Sequence, residues 1–94
     1  MKLVWTAQAW GDYLHWQATD PKVLGSINEL IKDIRRSPFQ GLGKPEPLKH
    51  DLHGWWSRRI TGEHRLVYRV SGKGETQQVE IAFCRYHYIW SVRL

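Results

Sequence analysis

We predict an α+β fold with two N-terminal helices packed on one face of a small antiparallel β-sheet, in the order β-α-α-β-β-β. Apolar residues recur with helical period in the first part of the chain, and three strand-like runs occupy residues 55–88. A stretch rich in proline and glycine, residues 37–54, separates these two parts. The chain has 94 residues, a length at which compact domains seldom divide. We therefore expect one domain over residues 1–94.

The first part is predicted to contain one strand and one helix before residue 20. The short extended run "KLVW", residues 2–5, is the first strand. A helix then begins at Thr6, because apolar residues follow with the spacing i, i+3, i+4, i+7. This spacing predicts that one helix face is buried and carries Trp10, Tyr13, Leu14 and Gln17.

A second helix is marked at both ends by residues that favour helix termini. Asp20 can cap it and Pro21 suits its first position. The helical period then continues to the arginine pair at 35–36, and Ser37-Pro38 ends the helix, because the residue before proline avoids the α region. Its predicted apolar face consists of Val23, Ile27, Leu30, Ile31 and Ile34.

The remaining strands are predicted to form two hairpins after a long surface loop. The loop is "SPFQGLGKPEPLKHDLHG", and the strands are "WWSRRI" (55–60), "HRLVYRV" (64–70) and "QVEIAFCRYHY" (78–88). The connections "TGE" and "SGKGETQ" are short and contain glycine, which favours an antiparallel meander.

Alternation along the strands predicts which residues share a face of the sheet. Leu66, Tyr68 and Val70 should meet the helices, which turns Arg65 to the other face. In the preceding strand, Trp56 and Ile60 should point inward while Ser57 and Arg59 point outward. Arg59 and Arg65 should therefore lie together, although arginines on an open face can also serve only solubility. The last strand is apolar on both sides, so its alternation does not fix the face of His87.

Charge and composition indicate a nucleic-acid partner and a cytoplasmic protein. The net charge is +5, the pI is near 9.7, and there are six tryptophans. Cations with aromatics suit phosphate attraction and base stacking, although many small basic domains have a cationic surface without such a partner. A single cysteine, Cys84, excludes an internal disulfide and fits a reducing compartment. No signal peptide or membrane span is evident.

One group of residues has the chemistry that metal-free RNA cleavage requires. Glu46 lies between two prolines that restrict the backbone, and it can act as a base on a ribose 2′-OH. Arg59 and Arg65 can stabilise the charge that develops on the phosphorus, and His87 can protonate the leaving 5′-oxygen. The alternative for Glu46 is a solvent-exposed loop glutamate without a role.

Two competing chemistries receive less support from the sequence. The "HDLH" run places His50 and His53 at a spacing found in metal sites, with Asp51 and His64 as further ligands. No cysteine cluster accompanies them and they come from an irregular loop, so we predict no metal and no cofactor. Cys84 lies in an apolar strand, where a thiol is usually inert packing.

The stretches of sequence that contain the residues proposed for RNA cleavage also resemble a known protein family. The stretch "GKPEPLKHDLHGWWSRRITGEHRLVYRV" followed by "CRYHY" closely resembles the YoeB toxins, within the RelE/ParE group of bacterial toxin–antitoxin systems. With "MKLVW" and "INELIKDIRRSPF", the resemblance runs from residue 1 to residue 88. It implies a RelE-like, microbial-RNase-like fold and an endoribonuclease that cuts mRNA in the A site of the 70S ribosome.

The resemblance also implies partners. A cognate YefM-like antitoxin would cover the site with an acidic C-terminal segment, and the pair would repress its own operon by binding operator DNA. A homodimer is a further expectation. Because family members typically end at the residue that matches Tyr88, residues 89–94 would be a C-terminal extension of the domain.

The resemblance also implies roles for individual residues, through the motifs in which they lie. Glu46 in "KPEP" matches the general base, Arg65 in "EHRLVY" the arginine that stabilises the transition state, and Arg59 in "SRRI" a second phosphate-facing arginine. In "RYHY", His87 matches the general acid and Tyr88 the tyrosine that positions the substrate base. A further set of basic residues is expected to contact the RNA: Lys44, Lys49 and Arg58.

Two other functions remain open at this point. The wider group includes toxins that poison DNA gyrase, and these lack the carboxylate and imidazole set. The protein can also be chiefly a DNA-binding corepressor with its antitoxin, its site shaded by residues 89–94. A supercoiling assay and an RNA cleavage assay separate these possibilities.

Overall fold

A computed structural model describes residues 1–86 of the chain. Two helices and five strands follow in the order β1, α1, α2, β2, β3, β4, β5. Their bounds are Lys2–Trp5 (β1), Ala7–Thr19 (α1), Pro21–Arg36 (α2), Glu46–Pro47 (β2), Trp56–Arg59 (β3), Arg65–Ser71 (β4) and Gln78–Phe83 (β5). The predicted α+β fold class is therefore confirmed. No helix within the described residues is long and apolar enough to cross a membrane.

The sheet is mixed, whereas the sequence predicted an antiparallel one. Its strand order is β1-β5-β4-β3-β2, with antiparallel neighbours from β5 to β2. At the other edge, β1 pairs with β5 in parallel, with Lys2 opposite Gln78. The two helices connect β1 to β2 at the opposite edge of the sheet, and the antiparallel strands β2 to β5 then return to β1, so that β5 runs alongside it.

The helix ends lie where the capping residues predict them. The Thr6 side chain accepts a hydrogen bond from the Ala9 amide, and Asp20 accepts from the amides of Lys22 and Val23. Each cap satisfies backbone donors that have no partner within the helix. Helix α2 ends at Arg36, directly before the predicted break.

The predicted buried face of α1 was partly wrong, because Tyr13 packs against the core but Trp10 and Leu14 are exposed. The helix buries Ala9 and Trp16, while Trp10 and Leu14 are 47% and 43% exposed. The small side chain of Ala9 allows close approach to the end of β5, where the Ala9 carbonyl lies 3.7 Å from the Cys84 sulfur. The Trp16 indole donates to the Cys84 carbonyl at 2.8 Å, and this bond helps set the rotation of the helix.

The main core lies between the two helices and one face of the sheet. It contains the five predicted apolar residues of α2, and the strands contribute Leu66, Tyr68, Val79 and Ile81. A second, smaller cluster covers the opposite face, where Leu48 packs with Val67 and Phe83. The stretch 37–54, predicted to be a long surface loop, therefore folds back over the sheet. It contributes β2 and a short 3-10 turn, His50–Leu52.

Candidate active site on the second face of the sheet

Glu46 joins the sheet through the short strand β2. It pairs with Ser57 of β3, and Ser57 pairs in turn with Val67 of β4. Residues opposite one another in a sheet point to the same face, so Glu46 lies on the face turned away from the helices. Its side chain is exposed at the edge of the sheet. The sequence analysis placed Glu46 in a rigid turn but did not predict a strand there.

Arg59 and Arg65 form the next row on that same face. They are paired across the β3–β4 hairpin, two residues along from Ser57 and Val67. A diagonal neighbour across a sheet lies at about 7–8 Å, which brings Arg59 within side-chain reach of Glu46. The prediction that these two arginines share a face is confirmed. Arg59 is exposed and Arg65 is half-buried.

The Arg65 guanidinium is oriented by backbone carbonyls of the hairpin turn. Its Nη1 donates to the carbonyls of Thr61, Gly62 and His64, at 2.8, 3.3 and 3.1 Å. The Arg65 amide donates to the carbonyl of Tyr86 at 3.0 Å. The charged group is therefore held close to its own turn, beside the last described residue of the chain.

The segment that precedes His87 is fixed by contacts with α1 and the hairpin turn. The Cys84 amide donates to the Asp12 carboxylate at 3.0 Å, and the Tyr86 amide donates to Nδ1 of His64 at 2.7 Å. His64 packs edge-on against Trp16, with ring centroids 4.7 Å apart. Sequence reasoning missed these supports, because Asp12, Trp16 and His64 are far apart in the chain.

Burial shifts the pKa values of His64 and Asp12, the two ionisable groups that hold this segment, in opposite directions. Desolvation lowers the pKa of His64, partly offset by the nearby Glu63 carboxylate, so the neutral imidazole is favoured. A neutral Nδ1 is what the Tyr86 amide requires as an acceptor. Desolvation raises the pKa of Asp12, and the Cys84 amide opposes that shift.

The other predicted site residues fall into three groups. Lys44 and Lys49 are exposed and flank Glu46 in the chain, as expected of basic loop residues. Arg58 is fully buried and cannot contact RNA in this fold, so that prediction was wrong. Alternation places it on the helix face with its neighbours at 56 and 60. His87, Tyr88 and the extension 89–94 lie outside the described residues.

An arginine and a tryptophan outside the predicted set of site residues also lie on this face. The Arg69 guanidinium lies 4.3 Å from the centre of the Trp55 ring and pairs with Glu80 at 2.6 Å. Arg69 thus has partners within the protein, whereas Arg59 extends into solvent. Within residues 1–86, no group of three histidine, cysteine, aspartate or glutamate side chains has metal-binding geometry, the "HDLH" run included.

Comparison with known proteins shows which family the chain belongs to. A family model for the YoeB-like toxin of bacterial type II toxin-antitoxin systems matches residues 5–88. The chain belongs to this family. Toxin YoeB of Escherichia coli (strain K12) is 61% identical over 88 residues, which are 94% of this chain and 100% of that protein.

Solved structures of family members have the same fold. The YoeB/ParE toxin from Agrobacterium tumefaciens matches with a TM-score of 0.92 and 60% identity, covering 94% of this chain and 100% of that one. The YoeB dimer from Staphylococcus aureus matches with a TM-score of 0.83 and 45% identity, covering 94% and 98%. YoeB of that organism has also been solved in a heterotetrameric YoeB–YefM complex.

Proposed function

We propose that this toxin is a ribosome-dependent mRNA endoribonuclease that cleaves in the A site by metal-independent acid–base chemistry. The observation that supports this most directly is that Glu46, Arg59 and Arg65 share the sheet face turned away from the helices. A carboxylate on the same face as two arginines suits a reaction that removes a proton and builds negative charge on a phosphate.

The proposed reaction is an attack within the RNA chain. Glu46 takes the proton of a ribose 2′-OH, and the 2′-oxygen forms a bond to the adjacent phosphorus. Arg65 and Arg59 stabilise the additional negative charge on the phosphate oxygens. The bond to the 5′-oxygen then breaks as His87 protonates that oxygen. The products are a 2′,3′-cyclic phosphate and a 5′-hydroxyl.

The remaining family positions have supporting roles in this proposal. Tyr88 positions and stacks the substrate base, since aromatic rings bind single-stranded bases by stacking. Lys44 and Lys49 are exposed cations that attract RNA phosphates. Dependence on translating ribosomes also implies that the protein acts in the cytoplasm and inhibits translation.

We further propose a cognate antitoxin as the protein partner. The Staphylococcus aureus relative has been solved with YefM, and the basic face here suits an acidic, YefM-like segment that folds on binding. In that complex the pair would contact operator DNA through the antitoxin and repress its own operon. A homodimer is a second form, as solved for the same relative.

The mechanism is tested with an mRNA that carries one 2′-deoxynucleotide on the 5′ side of the scissile phosphate. Without the 2′-hydroxyl, cleavage at that position should be lost while neighbouring sites are still cut. End-group analysis of the all-ribose mRNA should give a cyclic phosphate. Cleavage of the deoxy substrate at an equal rate would exclude 2′-OH attack, and inhibition of gyrase supercoiling without RNA cleavage would favour the alternative toxin class.

A further inference from the structure

The buried arginine on β3 is the centre of a hydrogen-bond network. Arg58 has no solvent exposure, and each of its five N–H groups is accounted for by one bond. The Nε group donates to the Tyr68 hydroxyl at 3.1 Å, and one Nη1 bond reaches Asp33 at 2.6 Å. The other three bonds go to backbone carbonyls. Within residues 1–86, every buried side-chain nitrogen or oxygen has a hydrogen-bond partner.

The network binds the loop that follows α2. Arg58 donates to the carbonyls of Ser37, Gln40 and Leu42 at 2.6, 3.0 and 3.1 Å. The Tyr68 hydroxyl donates to the carbonyl of residue 38 at 2.6 Å, and Asp33 accepts from the amide of residue 42 at 2.9 Å. Side chains from α2, β3 and β4 thus hold successive peptide groups of one loop.

That loop leads directly to Glu46. The carbonyl of Gly43 accepts a hydrogen bond from the Arg59 amide at 2.7 Å, and the chain enters β2 three residues later. Gly43 is closely packed, because a Cβ atom there would lie 2.9 Å from both the Arg59 carbonyl and the Leu30 side chain. The segment between the buried network and Glu46 is therefore short, and it is held at one end by the Gly43–Arg59 hydrogen bond and at the other by the pairing of β2 with β3.

The charges in this network are costly to bury. A buried ion pair pays a desolvation penalty that apolar residues of similar volume avoid. The stability of the core therefore does not explain why a charged Arg58–Asp33 pair is buried. The directional hydrogen bonds that Arg58 donates to loop carbonyls explain it better, because apolar side chains cannot make such bonds.

We propose that Asp33, Arg58 and Tyr68 are positioning residues that hold Glu46 in place on the sheet face that it shares with Arg59 and Arg65. This inference rests on the proposed function, in which Glu46 is the general base. Misplacement of a reacting group by about 1 Å can lower a rate by roughly a hundredfold, so loosening the loop should act mainly on the chemical step.

Two conservative variants test the proposal. Tyr68→Phe removes the hydroxyl that bridges Arg58 and the loop, and Asp33→Asn removes the negative charge. Arg36→Gln is the matched control, because Arg36 is exposed and contacts the same Asp33 carboxylate from solvent at 3.0 Å. Cleavage is measured in single-turnover reactions on mRNA-programmed ribosomes, after circular dichroism has shown which variants are folded.

We expect the maximal rate in Tyr68→Phe and Asp33→Asn to fall by about tenfold to a hundredfold. The half-saturating toxin concentration should stay within about twofold, and Arg36→Gln should resemble wild type. In a Glu46→Ala background the same substitutions should cause no further loss of cleavage rate, because the carboxylate whose position they disturb is already absent. Wild-type rates in both folded variants, or an equal loss with and without Glu46, would overturn the positioning role.

Amide hydrogen exchange separates this inference from the proposed function. Exchange over residues 37–46 should accelerate in Tyr68→Phe, while exchange in α1 and β5 stays unchanged. This result does not require RNA cleavage. If wild type cleaves no RNA, the proposed function fails while faster loop exchange still supports the network's hold on the loop. Unchanged loop exchange would refute the inference even in an active enzyme.

Discussion

Two consecutive arginines on β3 have opposite environments. Arg58 is buried among hydrogen-bond acceptors, whereas Arg59 is exposed on the proposed catalytic face. Strand alternation separates them, because successive side chains point to opposite faces of a sheet. The Asp33 carboxylate completes the buried site. Its pKa is lowered to about 2, first by the Leu42 amide and then by Arg58 and Arg36.

Gly41 lies in the loop that this network holds, at a position that leaves no room for a side chain. Gly41 has φ of 116°, and a Cβ atom there would lie 2.2 Å from the Asp33 carboxylate. We expect Gly41→Ala to lower the free energy of unfolding by about 1–3 kcal/mol, since both the backbone conformation and the contact are unfavourable. Urea denaturation measures the change.

The control for this substitution lies on an exposed part of α2. A Cβ atom at Gly25 would meet nothing within 4 Å, so Gly25→Ala should raise the free energy of unfolding by about 0.5–1 kcal/mol. Equal effects of the two substitutions would contradict the close packing described for the loop.

The single cysteine should be chemically inert in the folded protein. Burial raises the pKa of the Cys84 thiol to about 12, with a smaller contribution from Asp12. At pH 8 this lowers the thiolate fraction by roughly a thousandfold relative to an unfolded chain. An aromatic disulfide reagent should therefore label the native protein far more slowly than the same protein in guanidinium. Rapid native labelling would show that Cys84 is accessible.

Among the secondary-structure elements, α1 and the β3–β4 hairpin turn together hold the end of β5. Trp16 and Asp12 bind the peptide groups of Cys84, while His64 binds the amide of Tyr86. The chain leaves the sheet ladder there, and Tyr86 has a φ of 65°. These contacts therefore fix the residues that directly precede His87, the proposed general acid, in the chain.

Because His64 is one of the residues that hold the end of β5, the free energy of unfolding should depend on pH. The pKa of His64 is lowered from 6.5 in the folded protein, so the unfolded chain binds more protons just below that pH. The free energy of unfolding should be highest above about pH 6.5 and should fall as the pH decreases towards 5.5. Denaturant unfolding at pH 7.5, 6.5 and 5.5 measures this dependence.

His64→Asn separates the histidine from other titrating groups. The asparagine Oδ1 can replace Nδ1 as the acceptor for the Tyr86 amide but does not titrate. The variant should lose much of the dependence between pH 7.5 and 5.5, while His53→Asn, at an exposed position, should keep it. An unchanged pH profile in His64→Asn would exclude His64 as its source.

The sequence predicted the secondary-structure elements better than the contacts between them. Asp20 with Pro21 and Ser37 with Pro38 marked the ends of α2 correctly, because capping and proline effects are local. The buried face of α1 was mispredicted in part, since the hydrogen bond of Trp16 to Cys84, directly after β5, outweighed the apolar spacing around Trp10. The two-residue strand β2 and the parallel pairing of β1 have no local periodicity that could reveal them.

Across the whole molecule, the core and the proposed site occupy different faces of one sheet. The helices cover one face and form the main core, and the other carries Glu46 and Arg59 with a smaller cluster beneath the loop. The shared face of Arg59 and Arg65 was predictable from alternation. Glu46 was not, because its place depends on long-range pairing with β3, and the burial of Arg58 depends on partners at residues 33 and 68.

The most direct test is primer extension on one mRNA incubated with purified protein, with and without translating ribosomes. Wild type and Glu46→Ala are compared with Glu75→Ala, which removes an exposed carboxylate in the β4–β5 connection. We predict cuts at A-site codons only when ribosomes translate, an unchanged pattern in Glu75→Ala, and a loss of several orders of magnitude in Glu46→Ala. Ribosome-independent cuts, no cuts by wild type, or full activity in Glu46→Ala would contradict the proposed function.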